Sequence, residues 1–353
     1  MRSALIGVFI IGVGFAQDLL TDPGVAGPPL ELASPSPQPA ANSPTTHQAL
    51  DGSYTNDGSN LKYTAAELLP NNTERPYPSL DLNNPPGGAI NYSTTPPTGA
   101  ALATHLIGVQ SVVIDASDRL WILDTGRAID PRSGTQVPAT APGGPKLIGV
   151  DLSTDTIFQT IVFPPSVAPP ESYLNDVRVD VAAAVAYITD SGGDAIVVVV
   201  DLATGGSARR LVGHPSTRAE PHGGELGFIS VGADGIALSA DGATLHFCAL
   251  ASRALYAVPQ RGSEVRAQGG VVALVQKGFS DGMEADDRGL VYWGSMEQNA
   301  VGWFSIAADG HLYFTNDQLN LAPSFNSGND DRKKPYSLFR VPLPDGGRKI
   351  TRR

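Results

Sequence analysis

The sequence predicts an all-β chain folded as a β-propeller, on a composition rich in turn formers and an internal repeat of strand pairs. The 353 residues include 39 Gly and 29 Pro, and only 17% are charged, which suits short strands and tight turns better than long helices. A hydrophobic content of 41% is enough to fill a core.

The repeat places the elements in order. Four lines share one phase: "QSVVIDASDRLWILD" from Gln110, "NDVRVDVAAAVAYITD" from Asn175, "DGIALSADGATLHFCA" from Asp234 and "DGMEADDRGLVYWGS" from Asp281. Each opens on a polar residue, and five positions later stands an anchor: Asp115, Asp180, Ser239 or Asp286. The apolar pairs between them (Val112 and Ile114, Val177 and Val179, Ile236 and Leu238, Met283 and Ala285) alternate with period two, which puts each pair on one face of a strand. A turn follows, marked by Asp118, Asp241 and Asp287, and then a second strand: "RLWILD", "VAYITD", "TLHFCA", "LVYWGS". Third strands follow in "KLIGVDLSTD", "AIVVVVDLATG" and "RALYAVP", and "YSLFRVPLPDGG" plays that part near the end. One such unit cannot bury both of its faces, whereas a ring of them can. The anchors are spaced by 65, 59 and 47 residues, but a fifth copy, "IAADGHLYFTND", places Ala307 only 21 beyond Asp286. Strands are therefore expected to be missing near Phe304 to Ile306.

Outside the repeat, residues 1–16 read as a signal peptide: Arg2, an apolar core from Ala4 to Phe15, and a small-residue cleavage site at Gly14 to Ala16. No later stretch reaches the ~20 apolar residues of a membrane span, so a secreted, extracellular product with no membrane partner is expected. Residues 17–60, rich in Pro, Ser and Ala, read as low-complexity, 61–347 as the propeller and 348–353 as a basic tail. Asn71 and Asn91 are glycosylation sequons. A net charge of -11 argues against a nucleic-acid partner, because such binding draws its affinity from Lys and Arg. The basic run Arg332 to Lys334 follows two aspartates and reads as a solvated loop. Cys248 stands alone, which excludes an intramolecular disulfide, and reads as a buried strand residue. There is no G-x-S-x-G elbow and no close histidine pair. His246 and His311 fall in second strands and read as packing or surface positions, while Trp121, Tyr187, Phe247, Tyr292 and Tyr313 recur in second strands as blade core.

The ordered set "GVQSVVIDASDRLWILDTG", "SYLNDVRVD", "AYITDSGGDAIVVVVDL", "GADGIALSADG", "SDGMEADDRG" and "MEQNAVGW" resembles the major royal jelly protein and yellow family, especially its fungal members, from about Asn71 to Pro344. The resemblance implies a secreted six-bladed propeller. It does not select a reaction, since such relatives include nutritive proteins, amine-binding salivary proteins and proteins tied to melanin chemistry. Two departures stand out. "GPPLE" at Gly27 to Glu31 runs on into "LASPSPQPAANSP" where the first blade's inner strand is expected, and a late blade is short. A misread exon and a skipped one would leave these marks; the alternative is a degenerate paralogue.

The polar residues that open the first strands, Gln110, Asn175, Asp234 and Asp281, are the candidate ligand-binding ring, because the innermost strands of a propeller run along its channel. Two carboxylates and two amides would take Ca²⁺ or Mg²⁺, or hold a small molecule such as a cationic amine or a catechol. The competing reading is turn chemistry, since Asp before Gly bonds nearby backbone N–H groups with no ligand present. A fainter resemblance to gluconolactonase-type propellers implies a metal held by an Asn and an Asp, which Asn175 and Asp281 match, with a Glu that is not identifiable here. The expected function is non-catalytic binding of a small ligand. The alternatives are a metal-dependent lactonase-like hydrolase, a melanin-pathway (dopachrome-type) isomerase, or an extracellular storage or matrix protein.

Overall fold

A computed structural model describes residues 31–32, 63–68, 74–133, 135–192, 196–220, 231–261, 264–265, 270–294, 304–306, 309–315, 329, 331 and 338–350. The predicted leader, most of the low-complexity segment, Asn71, Asn299 of "MEQNA", Ala307 and the run Arg332 to Lys334 lie outside them. The chain divides into two compact units, Pro44–Val212 and Gly213–Arg352 with Met1–Ser43. Among the described residues, no helix is long and apolar enough to cross a membrane.

The first unit holds two four-stranded antiparallel sheets. Sheet A is built from Val109–Ile114, Arg119–Asp124, Lys146–Asp151 and Thr156–Val162, and sheet B from Leu174–Asp180, Val185–Asp190, Ile196–Asp201 and Ser207–Arg210, each a meander in chain order. The second strands read as unbroken apolar runs because both of their faces are covered. Trp121 and Leu123 pack with Leu147 and Ile161 against Leu174, Val177, Ala186 and Ile188 of sheet B. The alternate residues Leu120 and Ile122 pack with Val109 and Val112 against Ala65, Tyr77 and Leu82. Burial of one such side chain stabilises by roughly 1.5–3 kcal/mol. Ahead of sheet A, Ala66–Leu68 and Glu74–Pro76 form only a two-stranded sheet.

The second unit repeats this plan with a gap. Sheet C comprises Ala233–Leu238, Thr244–Ala249, Ala254–Arg261, Glu264–Val265 and Val272–Gln276. Met283–Ala285 pairs with Val291–Trp293 as a second two-stranded sheet, one face against Ala237, Cys248 and Leu255 of sheet C, the other against Ile306, Leu312 and Phe314 of sheet D. Sheet D takes Phe304–Ile306, His311–Thr315 and Leu338–Pro342 and is completed by Glu31–Leu32, which pairs antiparallel with Phe339 and Arg340. The segment Phe304 to Ile306 is thus one continuous strand, the first of the last sheet. Four sheets of blade size and topology are present among the described residues, beside four two-stranded ones.

The anchors prove to be clasps for the turn between first and second strands. Asp115 accepts backbone N–H groups from Ser117 (2.8 Å) and Arg119 (3.2 Å), Nε of Arg119 (2.8 Å) and the indole N–H of Trp121 (2.8 Å). Asp286 accepts N–H groups from Arg288 and Leu290 and the hydroxyl of Tyr292 at 2.9 Å. Asp180 accepts from Ala183 N–H, and Ser239 accepts from Thr244 N–H while donating to Asp241. One carboxylate therefore closes the turn and, in two units, also fixes the second-strand aromatic. Trp121, Tyr187, Phe247 and Tyr292 are core; Tyr313 is half-buried and bonds Asp309 through its hydroxyl. Asp287 lies in the turn as expected, and its carboxylate also accepts the Arg348 N–H at 2.8 Å, tying the C-terminal segment to this turn.

Two stability tests follow from this packing. Asp115→Ala is expected to cost about 2–4 kcal/mol in chemical unfolding, because it strands several buried donors, and Ser239→Ala only about 1 kcal/mol; equal costs would contradict the clasp. His246 is buried, its Nδ1 has no hydrogen-bond partner among the described residues, and burial lowers its pKa from 6.5 against opposing pulls from the Ala237 backbone and Asp241. The unfolded chain therefore takes up this proton first as the pH falls. Stability is expected to decline from pH 6.5 downward, and in His246→Leu, followed by thermal melts, that increment is expected to vanish.

Candidate functional site

Gln110, Asn175 and Asp234 lie on the first strands of sheets A, B and C, and in all three the ladder slips at their position. The register shifts between Val109 and Ser111, between Leu174 and Val177, and between Ala233 and Ile236. Gln110, the pair Asn175–Asp176 and the pair Asp234–Gly235 are thus bulge residues. A bulge interrupts pairing and re-aims a side chain, so recurrence at one register turns a line of polar residues into a repeated presenting device.

In the first unit this region is set by two carboxylates that the sequence reading passed over. Asp124 ends the second strand of sheet A and accepts the N–H groups of Ile107 (2.7 Å), Gly108 (2.9 Å) and Gly126 (2.8 Å). It is fully buried against Lys146, whose Nζ lies 2.9 Å away and also donates to the Gly144 carbonyl at 2.7 Å. Asp190 holds the same place in sheet B, accepting from the Tyr173 N–H (2.7 Å), the Gly192 N–H (3.0 Å) and the Ser172 hydroxyl (2.6 Å). Burial pushes the Asp190 carboxyl up, against the pull of those three donors and Arg209. Each carboxylate ties the loop after the second strand to the loop entering the first, and so fixes where the bulge begins. The signal was present as the recurrence of "DTG" and "DSG" after aligned strands, Asp124 to Gly126 and Asp190 to Gly192.

The first strands of sheets A and B lie side by side, and their bulges meet. Gln110 Nε2 donates to Asn175 Oδ1 at 3.4 Å, and the Tyr173 hydroxyl donates to Gln110 Oε1. Gln136 Nε2 donates to that hydroxyl at 3.0 Å, and Asn175 Nδ2 to the Ser191 hydroxyl at 2.8 Å. The neighbouring Asp176 receives the Ser111 hydroxyl and Arg178 Nη1, each at 2.8 Å, which anchors this polar layer to the sheets. Arg127 completes it, with its guanidinium 5.4 Å from the Tyr173 ring centroid and its Nε donating to the Val137 carbonyl at 2.9 Å.

In the second unit Asp234 and the segment of Asp281 also come together. The Asp281 carbonyl sits so close to Gly235 that no Cβ could stand there, and Met283 and Cys248 close the same space. Lys277, another residue the sequence reading missed, is buried here, its Nζ donating to the Gly278 carbonyl at 2.9 Å. Burial lowers its pKa, while Cys248, Asp234 and Glu220 oppose that shift. The thiol of Cys248 is fully buried, and burial pushes its pKa up. Among the described residues, no group of three or more His, Cys, Asp or Glu side chains could hold a metal ion. Asn91 lies on an exposed strand end, where its Oδ1 accepts from Ser93. The Asp124–Lys146 pair yields a direct test: Lys146→Met leaves a buried carboxylate without its counter-charge and is expected to cost about 3–5 kcal/mol in chemical unfolding.

The family model described as Major royal jelly protein matches residues 107–312, more than half of the chain. Two proteins of Apis mellifera are similar to it: Major royal jelly protein 5, 29% identical over 215 residues, and Major royal jelly protein 7, 26% identical over 216. Each match covers 56% of this chain, but 34% and 46% of the relatives, so the chain spans less than half their length. Solved structures similar to it include a calcium-binding protein, regucalcin, of Agrobacterium tumefaciens (14% identity, 71% of this chain and 94% of that one, TM-score 0.38). Another is a gluconolactonase of Xanthomonas campestris (15% identity, 70% and 75%, TM-score 0.40). The match over residues 107–312 identifies this protein as a member of the major royal jelly protein family.

Proposed function

We propose that this protein is a secreted six-bladed propeller that binds a small ligand at the starts of its first strands, along the central channel, without catalysing a reaction. The observation that carries this reading is the bulge repeated at one register in sheets A, B and C, which offers Gln110, Asn175 and Asp234 as side chains re-aimed from the ladder. Turn chemistry alone does not account for it, because the turn N–H groups are bonded by the anchors five residues further on. The four sheets of blade size and topology support the propeller reading, and residues 1–16 carry the export reading. The polar layer of Gln110, Asn175, Tyr173 and Ser191 in the first unit suits a ligand bearing hydroxyls and an aromatic ring, such as a catechol.

Calorimetric titration of the purified chain with dopamine tests this. Micromolar binding that weakens about tenfold in Asn175→Ala is expected, the loss of one or two hydrogen bonds. Stoichiometric Ca²⁺ in an elemental assay, with no catechol binding, would replace the reading by a lactonase-like hydrolase; neither metal nor ligand would leave a storage or matrix protein.

A further inference from the structure

We propose that Arg127, beside the Gln110–Tyr173–Asn175 layer, receives a carboxylate carried by the ligand. This rests on the reading that the strand starts hold a small molecule, and adds the chemistry that selects it.

Arg127 is placed by rigid backbone. It follows the turn closed by the Asp124 carboxylate on the Gly126 N–H, and Gly126 has φ +71°, a conformation that L side chains rarely adopt. A Cβ at Gly126 would also strike the Thr140 hydroxyl. Only one edge of the guanidinium is used by the protein: Nε donates to the Val137 carbonyl, and the plane lies over the Tyr173 ring. Among the described residues, Nη1 and Nη2 have no acceptor and no carboxylate stands within ion-pair distance. Asp190 acts on Arg127 only through space, since its oxygens are bonded to Ser172, Tyr173 and Gly192. Burial lowers the Arg127 pKa, against weaker opposing pulls from Tyr173 and Asp190, as expected for a partly buried cation with no carboxylate bonded to it. A planar fork with paired free donors is the form that binds a carboxylate in two parallel hydrogen bonds. The Tyr173 ring and the Gln136 amide beside it would seat an aromatic or hydroxylated body attached to that carboxylate.

The test compares 3,4-dihydroxyphenylacetate with its methyl ester, and benzoate with methyl benzoate, by calorimetry on the full chain. Wild type is expected to favour each acid over its ester about ten- to hundredfold, the worth of a charge-assisted pair of hydrogen bonds. That ratio is expected to fall to about one in Arg127→Gln and to a fraction of its value in Arg127→Lys, which keeps the charge and loses the fork. A purely structural arginine would lower the melting temperature in both variants and leave the ratio unchanged, which overturns the proposal. Catechol binding without acid preference also overturns it while leaving the proposed function standing. Arg127-dependent benzoate binding without any catechol binding upholds it and ends the catechol reading. Binding of none of the four probes overturns it, and the dopamine titration then decides the proposed function by itself.

Discussion

The buried carboxylate at the end of a second strand is the constraint on which the candidate site depends. Asp124 and Asp190 each gather N–H groups from the loops on either side of the first strand's entry, in a place where unpaired donors would be costly. With these loops tied, the first strand enters its sheet at one height, the ladder slips there, and the bulge residue leaves the pairing plane. Asp124 carries a charge into a region with no exposure, so Lys146 must follow it. The pair is therefore better seen as fixing geometry than as adding net stability, because desolvation offsets much of its attraction.

A second set of carboxylates works at the other end of the same strands. Asp115 and Asp286 close the turn between first and second strands and hold Trp121 and Tyr292 by hydrogen bonds. In sheets A and B the first strand pair is thus pinned at both ends by acid groups bonded mainly to backbone, with packed apolar faces between. The chain can then carry a net charge of -11 with many of its aspartates committed to the fold.

Much of the fold was legible because strand periodicity is local. The alternation in "QSVVID" and "NDVRVD" names the faces, and the repeat multiplies a weak signal into a register that gives Gln110, Asn175, Asp234 and Asp281 together. The bulges were not legible, since one extra residue in a strand leaves the apolar pattern around it unchanged. Asp124 and Asp190 went unmarked because Asp before Thr-Gly or Ser-Gly is common in turns; their burial depends on loops that pairing brings back from elsewhere. Lys146, Lys277 and Arg127 were missed because a cation ordinarily stays at the surface, and only tertiary structure encloses these. Tyr173 lies in a loop with no period to mark it.

The account's central claim is that the bulged strand starts form a ligand seat, and electron density from crystals grown with 3,4-dihydroxyphenylacetate tests it most directly. The account predicts density for the ring against Tyr173 and Gln110, with the carboxylate on the paired nitrogens of Arg127 and the bulges at Gln110 and Asn175 retained. Ligand density elsewhere on the chain, with the bonds among these residues unchanged, would contradict it.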